Sequence, residues 1–572
     1  MHNKQTLFDV VLITLVGLVV FTFFSGSYQL ISPDEGRYIE VAREMITSGN
    51  FITPHLDGTV FLDKPILFYW IEAGLIKLFG LNEWSVRLLP AFFACFGCML
   101  TYWAGAELFN RRTGLFAAFI QMSMLLYFIL AHYCNMDLMV AVLVSGALYL
   151  FLMGVQGDQP GKRRVYLLLS YSFAGFAFLA KGLIGLVFPI MIIGIWIVLQ
   201  SRWQVVRRMC LVPGLLLFTI IVLPWLLLVE RSNSEFFYYF FAVQQFSRYL
   251  STHFNNQMPF YFYVPVILAG AVPWTLFLVQ SLVFNVKQVW GNLRSNSSTL
   301  FLILWPLLIF LFFSLPKSKI VGYSLPIFPP LALLIARYFD ERGQILTKSL
   351  SLKICGFIVL VFAVVVSLVL LHISSVSNLT TSARFVYLSA IAAFIISGSV
   401  LSVAAAYCSS RFSTFFIMLV ITAVLTEMIT VASLQSFSWF AKHVVVKQMA
   451  HQIKENLEPV DKVVVFDRYF QDLPVYLQHH VYVVADWSAR YLQTHDNWRR
   501  ELAEGVLYKH YRQPWLLNYQ QFVELWQQQR GRIFILTSKG NVSELKRLIR
   551  PVYLLQSKNG VFLFSNIPVK LT

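Results

Sequence analysis

Residues 136–156 read Met136-Asp137-Leu138-Met139-Val140-Ala141-Val142-Leu143-Val144-Ser145-Gly146-Ala147-Leu148-Tyr149-Leu150-Phe151-Leu152-Met153-Gly154-Val155-Gln156. One carboxylate, Asp137, stands at the start of a run that is otherwise apolar or small as far as Val155. Its length matches the roughly 20 residues that carry a helix across a bilayer core. Moving outward, the basic cluster Lys162–Arg164 follows the run, and Arg111–Arg112 precedes the apolar stretch before it. If 136–156 spans, both clusters fall on one side of the membrane and Asp137 lies at the other face.

The pattern repeats along the 572 residues, of which 58% are hydrophobic and 13% charged, with mean hydropathy +0.66. So little polar surface makes lipid the solvent for most of the chain. Apolar runs at 8–28, 87–108, 114–132, 136–156, 165–180, 183–200, 209–229, 261–284, 298–315, 323–338, 353–372, 385–407 and 412–432 give about thirteen spans. With the N-terminus inside, Arg111–Arg112, Lys162–Arg164, Arg202–Arg208, Lys287–Arg294, Arg337–Lys353 and Arg411 all become cytoplasmic. The first run is too long for a signal-peptide core and reads as an uncleaved span. The net charge of +17 is thus explained by topology, and no basic face for nucleic acid stands out. All six cysteines lie in or beside apolar runs; Cys95 and Cys98 form a CxxC without His or Cys partners and read as packing residues.

The outer side receives loops 29–86 and 230–260, a short loop around Lys317, and the chain from about 433. There the composition turns polar. Strand-like stretches at Lys462–Phe466, Val481–Ala485 and Arg532–Thr537 alternate with helix-like Lys442–Leu457, Leu517–Gln529 and Val542–Ile549. A hairpin over Tyr553–Phe564 turns at Asn559-Gly560. The expected organisation is a transmembrane domain, 1–432, including the first outer loop, and a small α/β domain, 433–572. No Gly-rich phosphate loop occurs in the latter, which argues against a nucleotide site.

The first outer loop carries most of the chemistry. In Ser32-Pro33-Asp34-Glu35-Gly36-Arg37-Tyr38, Ser32 as N-cap, Pro33 at the first helical position and Glu35 three residues on predict a capping box. Ile39, Ala42, Met45 and Ile46 continue at helical spacing to Gly49, giving an amphipathic helix at the outer interface. Asp34 and Arg37 stand one turn apart. Glu35 reads as a helix-dipole partner; Asp34, which the cap does not need, reads as an acid–base or orienting group. Farther on, Asp63-Lys64-Pro65 precedes the aromatic cluster Phe68-Tyr69-Trp70; a presented site and a solvated turn both fit it.

Other charges sit where lipid makes them costly. Asp137 and Lys181 lie at outer span junctions, Lys317 and Lys319 oppose the positive-inside bias, and Arg248 lies in the second outer loop after Gln244-Gln245. A single such lysine snorkels readily. Several cations and two carboxylates at one depth suggest a clamp for a lipid phosphate, whose tail would run between helices.

These stretches, with Lys181-Gly182, Pro259-Phe260, Tyr263 and the segment Ser314–Pro326 with Tyr323, resemble membrane glycosyltransferases of the GT-C type. The nearest resemblance is to bacterial lipid A 4-amino-4-deoxy-L-arabinose transferases, relatives of the protein O-mannosyltransferases, and it covers nearly the whole chain. It implies a polytopic α-helical GT-C fold in the inner membrane. It also implies inverting transfer of a sugar from a polyprenyl-phosphate donor to a lipid acceptor, such as a lipid A phosphate, at the outer face. By the same resemblance Asp34 and Asp137 are the catalytic carboxylates. Arg37, Lys64, Arg248, Lys317, Lys319 and Tyr323 hold the donor phosphate. The family's carboxylate–histidine metal pair would fall at Asp63 and the second outer loop, where this chain has Gln244-Gln245. A carboxamide is a poor zinc ligand, so no tight metal and no required cofactor are expected.

Two competitors remain. A protein O-glycosyltransferase would need Asp34 as a true general base for a hydroxyl acceptor. A transporter would need midplane charges and repeated broken helices, and no internal repeat is visible.

Overall fold

The structure is a computed structural model of the chain. It describes residues 2–157, 159–247, 256–346, 357, 361, 412–433, 441–488, 491–492, 497–507, 514–528 and 531–569. The protein is a multi-pass helical membrane protein with a small sheet domain. It divides into two compact units: Met1–Ser25, Arg87–Pro224 and Asn256–Leu434 form the first, and Gly26–Val86, Trp225–Asn255 and Gln435–Thr572 the second. In the second unit the first outer loop groups with the C-terminal segment. Hydrogen bonding between those segments explains this: Tyr476 Oη receives the Leu30 N–H at 2.9 Å, and Asp57 receives that of Val481 at 3.0 Å.

In the first unit, helices α1 (His2–Thr22), α4 (Leu88–Leu108), α5 (Arg111–Met122), α6 (Leu125–Ala131), α7 (Met136–Gln156), α8 (Pro160–Lys181) and α9 (Ile184–Gln200) follow the expected spans. Among the described residues seven helices are long and apolar enough to cross a membrane, or up to nine with two bent pairs taken as spans. One pair, α5 and α6, bends by 64°; the other, Phe260–Gly270 with Thr275–Gly291, bends by 109°, where Pro273 removes a backbone donor. The spans expected at 353–372 and 385–407 fall in 347–411, of which only Phe357 and Val361 are described. The cluster Lys162–Arg164 lies inside the first turns of α8 rather than in a loop.

Helix α7 is the axis of this unit. Every residue from Met136 to Gly154 is buried, and it packs against α4 and α8. An all-apolar helix is what such a central position requires. Asp9, buried within α1, receives Tyr102 Oη at 2.7 Å and Arg111 Nη2 at 2.7 Å, so its charge is paired as burial demands.

In the second unit, α2 (Asp34–Ser48) ends at Gly49, whose φ of 70° places it in the left-handed region. A six-stranded sheet has the order β5-β4-β3-β6-β8-β7, from β3 (Lys462–Phe466), β4 (Tyr482–Val484), β5 (Leu516–Leu517), β6 (Ile533–Ser538), β7 (Tyr553–Lys558) and β8 (Val561–Ser565). Strands β5, β4, β3 and β6 run parallel, and β8 and β7 are antiparallel. The turn Asn559-Gly560 has φ of 50° and 79°, the two positive values a two-residue hairpin needs. Val464, Phe466, Ile533, Ile535 and Phe564 from the sheet and Phe522, Trp526 and Leu545 from its helices make the core.

Candidate active site

The start of α2 differs in detail from its sequence reading. The helix begins at Asp34 with Pro33 as cap and no side-chain cap bond. Ser32 instead donates to Gln471 Oε1 at 3.1 Å. Glu35 still turns back, accepting the Ile31 N–H at 2.7 Å, so half of the expected box forms one residue earlier. The helix is also not amphipathic in use. Glu35, Gly36 and every residue from Tyr38 to Met45 are buried, because the C-terminal segment covers the face expected to meet water. Gly36 is one point of cover: a Cβ there would lie 2.5 Å from the Asp472 backbone N.

On this helix Arg37 Nη1 stands 3.8 Å from Asp34 Oδ1, and its Nε 2.8 Å from Glu501 Oε1. Burial opposes the Arg37 charge, but Glu501, Tyr38, Asp34 and Asp63 outweigh it and hold its pKa above the ordinary value. The guanidinium therefore stays charged in a nearly closed environment. Arg37, Ser32, Arg468 and Trp498 are among the walls of a cavity of about 770 Å³. Tyr38, Phe68 and Tyr69 pack edge to face or tilted with centroids 5.7–6.2 Å apart, fixing α2 against α3 (Leu67–Phe79).

Asp63 and Lys64, both half-buried, lie between β2 (Thr59–Val60) and α3. Asp63 accepts from Tyr239 Oη and, at 3.0 Å, from Gln244 Nε2, which also donates to Tyr239 Oη at 2.7 Å. The carboxylate is thus met by two proton donors, a phenol and a carboxamide. Sequence reasoning noted Gln244 only as a lost ligand; Tyr239 and Glu501, which complete these contacts, were missed, since nothing local in sequence marks them.

In the first unit, Asp137 pairs with Lys181 across the ends of α7 and α8, with side chains 10% and 13% exposed. Asn135 caps α7 by accepting the Asp137 N–H at 2.9 Å. The Lys181 ammonium also lies 4.3 Å from the Tyr323 ring centroid. Tyr323 sits in the 3-10 segment Val321–Ile327, where Gly322 leaves the space that the Asp137 carboxylate fills. Nearby in the chain, Lys319 is 3% exposed and donates to the Met258 carbonyl at 3.2 Å and to that of Pro316; burial pulls its pKa down. Lys317 is exposed. Arg248 lies outside the described residues.

Comparison with known proteins gives these groups a context. An undecaprenyl phosphate-α-4-amino-4-deoxy-L-arabinose arabinosyl transferase of Proteus mirabilis is 30% identical over 382 residues, covering 66% of this chain and 68% of that protein. The chain belongs to this family. A relative of the same name from Enterobacter sp. is 31% identical over 363 residues, spanning 63% of this chain and 64% of its own length. The aligned region thus falls just short of two thirds of that relative. The crystal structure of ArnT from Cupriavidus metallidurans bound to undecaprenyl phosphate shares the fold over 98% of both chains, with TM-score 0.81 and 24% identity. The expected GT-C fold is therefore the fold observed. Residues 63–228 also match the family model described as dolichyl-phosphate-mannose-protein mannosyltransferase.

Proposed function

We propose that the protein transfers 4-amino-4-deoxy-L-arabinose from undecaprenyl phosphate to a phosphate of lipid A, at the outer face of the bacterial inner membrane. The N-terminus is then cytoplasmic and the C-terminal domain periplasmic. The observation that carries this reading is the 382-residue match to a transferase of that name. In the reaction the bond between the anomeric carbon and the donor phosphate oxygen breaks, and an acceptor phosphate oxygen bonds to that carbon from the opposite face. Undecaprenyl phosphate leaves. Its oxygen gains negative charge in the transition state, so fixed cations are the main device required.

Arg37, Lys64, Arg248, Lys317 and Tyr323 take that role in this reading. Lys319, whose ammonium holds two carbonyls, acts by shaping the loop that bears Lys317. An anionic acceptor needs no strong base, so Asp34 and Asp137 orient acceptor or sugar rather than remove a proton. No resident metal or cofactor is called on.

The match of 63–228 to the mannosyltransferase model favours a second reading, with a protein hydroxyl as acceptor and Asp34 as general base. Mass spectrometry of lipid A and of membrane glycoproteins, from cells with and without the gene, separates the two. Loss of the aminoarabinose-modified phosphate supports the first reading; unchanged lipid A with a sugar missing from glycoproteins overturns it.

A further inference from the structure

A second set of charged residues lies on α2, on side chains that the transfer reaction does not use. Glu40 and Glu44, one turn apart, meet Asp57 from the turn between β1 (His55–Leu56) and β2, and His480 from the segment before β4. Each offers one ligand atom, and the four lie within 4.8 Å of one another. His480 Nδ1 is 3.5 Å from Asp57 Oδ1 and 3.6 Å from Glu44 Oε1. Glu40, Glu44 and Asp57 are 0%, 4% and 1% exposed.

The charges there do not balance. Arg43 binds Glu40 through Nε at 2.7 Å, which neutralises one carboxylate of three. Glu44 receives the Gly58 N–H at 2.8 Å, and Asp57 Oδ1 that of Val481. His480 faces both remaining carboxylates, and any negative charge left beside it is one that proteins avoid burying unless a cation or protons compensate.

The open valences point to a cation. Asp57 Oδ2 accepts no hydrogen bond although the residue is almost wholly buried. Tyr469, 2% exposed and electrostatically coupled to Asp57, Glu40 and Glu44, has a hydroxyl without a partner too. A buried polar atom left unsatisfied calls for a partner.

We propose that Glu40, Glu44, Asp57 and His480 bind one Zn2+. One imidazole with three carboxylates, four ligands in all, suits zinc better than calcium, which takes six to eight oxygens. Tetrahedral ligands at about 2.1 Å from the metal stand about 3.4 Å apart, so the four atoms, within 4.8 Å of one another, draw closer when the ion binds. The ion fastens α2 and the β1–β2 turn to the C-terminal sheet domain, holding the helix that carries Asp34 and Arg37. It is separate from the position of Asp63.

The test uses the full-length protein purified in detergent, stripped with chelator and titrated with Zn2+ alone. Bound metal is read by mass spectrometry of the elements and stability by thermal unfolding. The expected result is one Zn2+ per chain and a higher melting temperature with metal. Binding is expected to weaken at least about tenfold in Glu44→Gln and Asp57→Asn and to stay unchanged in Asp63→Asn. A wild-type protein that takes up no stoichiometric Zn2+ overturns the proposal, the carboxylates then sharing protons. Equal binding by both variants, or its loss in Asp63→Asn, overturns it as well by placing the metal elsewhere. The wild-type titration decides even if a variant does not fold.

Discussion

Replacing Lys181 by Met leaves the Asp137 carboxylate 10% exposed and without its ammonium. An exposed ion pair contributes about 0.2–1 kcal/mol, whereas removing one partner of a buried pair costs about 3–5 kcal/mol. Both side chains here are close to nine-tenths covered, so the larger figure applies. The contact of the ammonium with the Tyr323 ring adds about 0.5–2 kcal/mol to the loss. Even 3 kcal/mol lowers the folding equilibrium about 150-fold, a large part of a typical margin. Asp137→Asn strands the ammonium instead, and the double variant strands neither charge. The two single losses should therefore exceed the loss in the double variant by at least about 2 kcal/mol. SDS titration of the purified proteins in mixed micelles, followed by tryptophan fluorescence, measures all four members of this cycle. A Lys181→Met protein within 1 kcal/mol of wild type, or single effects that simply add, would refute the reasoning.

Asp34→Asn and Lys64→Ala should each reduce transfer at least about 100-fold while membrane expression is kept, measured by lipid-linked transfer in isolated membranes. Gly36→Ala forces a Cβ against the Gln471–Asp472 backbone and should cost about 1–3 kcal/mol in thermal or SDS unfolding. Lys319→Met orphans the carbonyls of Met258 and Pro316 and should lower stability by about 1–3 kcal/mol, measured by the same unfolding. At Asp461, burial raises the carboxyl pKa, but the Arg532 side chain with the backbone N–H groups of Glu458 and Arg532 outweighs it and holds the value below the usual range. Its contribution is present above the unfolded carboxylate pKa and is lost as pH falls through the folded one. Asp461→Asn should therefore flatten the acid limb of the stability–pH curve below about pH 4.

Much of this arrangement is legible in the sequence because lipid imposes a strict length and polarity on each span. The run 136–156 became α7 to the residue, and Asn559-Gly560 made the hairpin turn, since in each a local rule decides. Asp34, Arg37, Asp137 and Lys181 stood out as charges at costly depths, and the structure pairs each within its own unit. What the sequence could not disclose depends on what covers what. The spacing of Ile39, Ala42 and Met45 implies a wet opposite face on α2, yet Glu40, Arg43 and Glu44 on that face are buried. Partners hundreds of residues away, His480 for Glu44 and Glu501 for Arg37, leave no periodic trace. The Ser32 cap failed for a similar reason: its hydroxyl found Gln471, a residue no local motif foresees.

The most direct measurement is transfer by the purified protein in lipid nanodiscs, supplied with undecaprenyl phosphate-4-amino-4-deoxy-L-arabinose and lipid A, with products read by mass spectrometry. Lipid A carrying aminoarabinose on a phosphate, formed by wild type and nearly abolished in Asp34→Asn, is the expected result. Unmodified lipid A with the wild-type protein, or undiminished turnover with Asp34→Asn, would contradict the assignment of reaction and site.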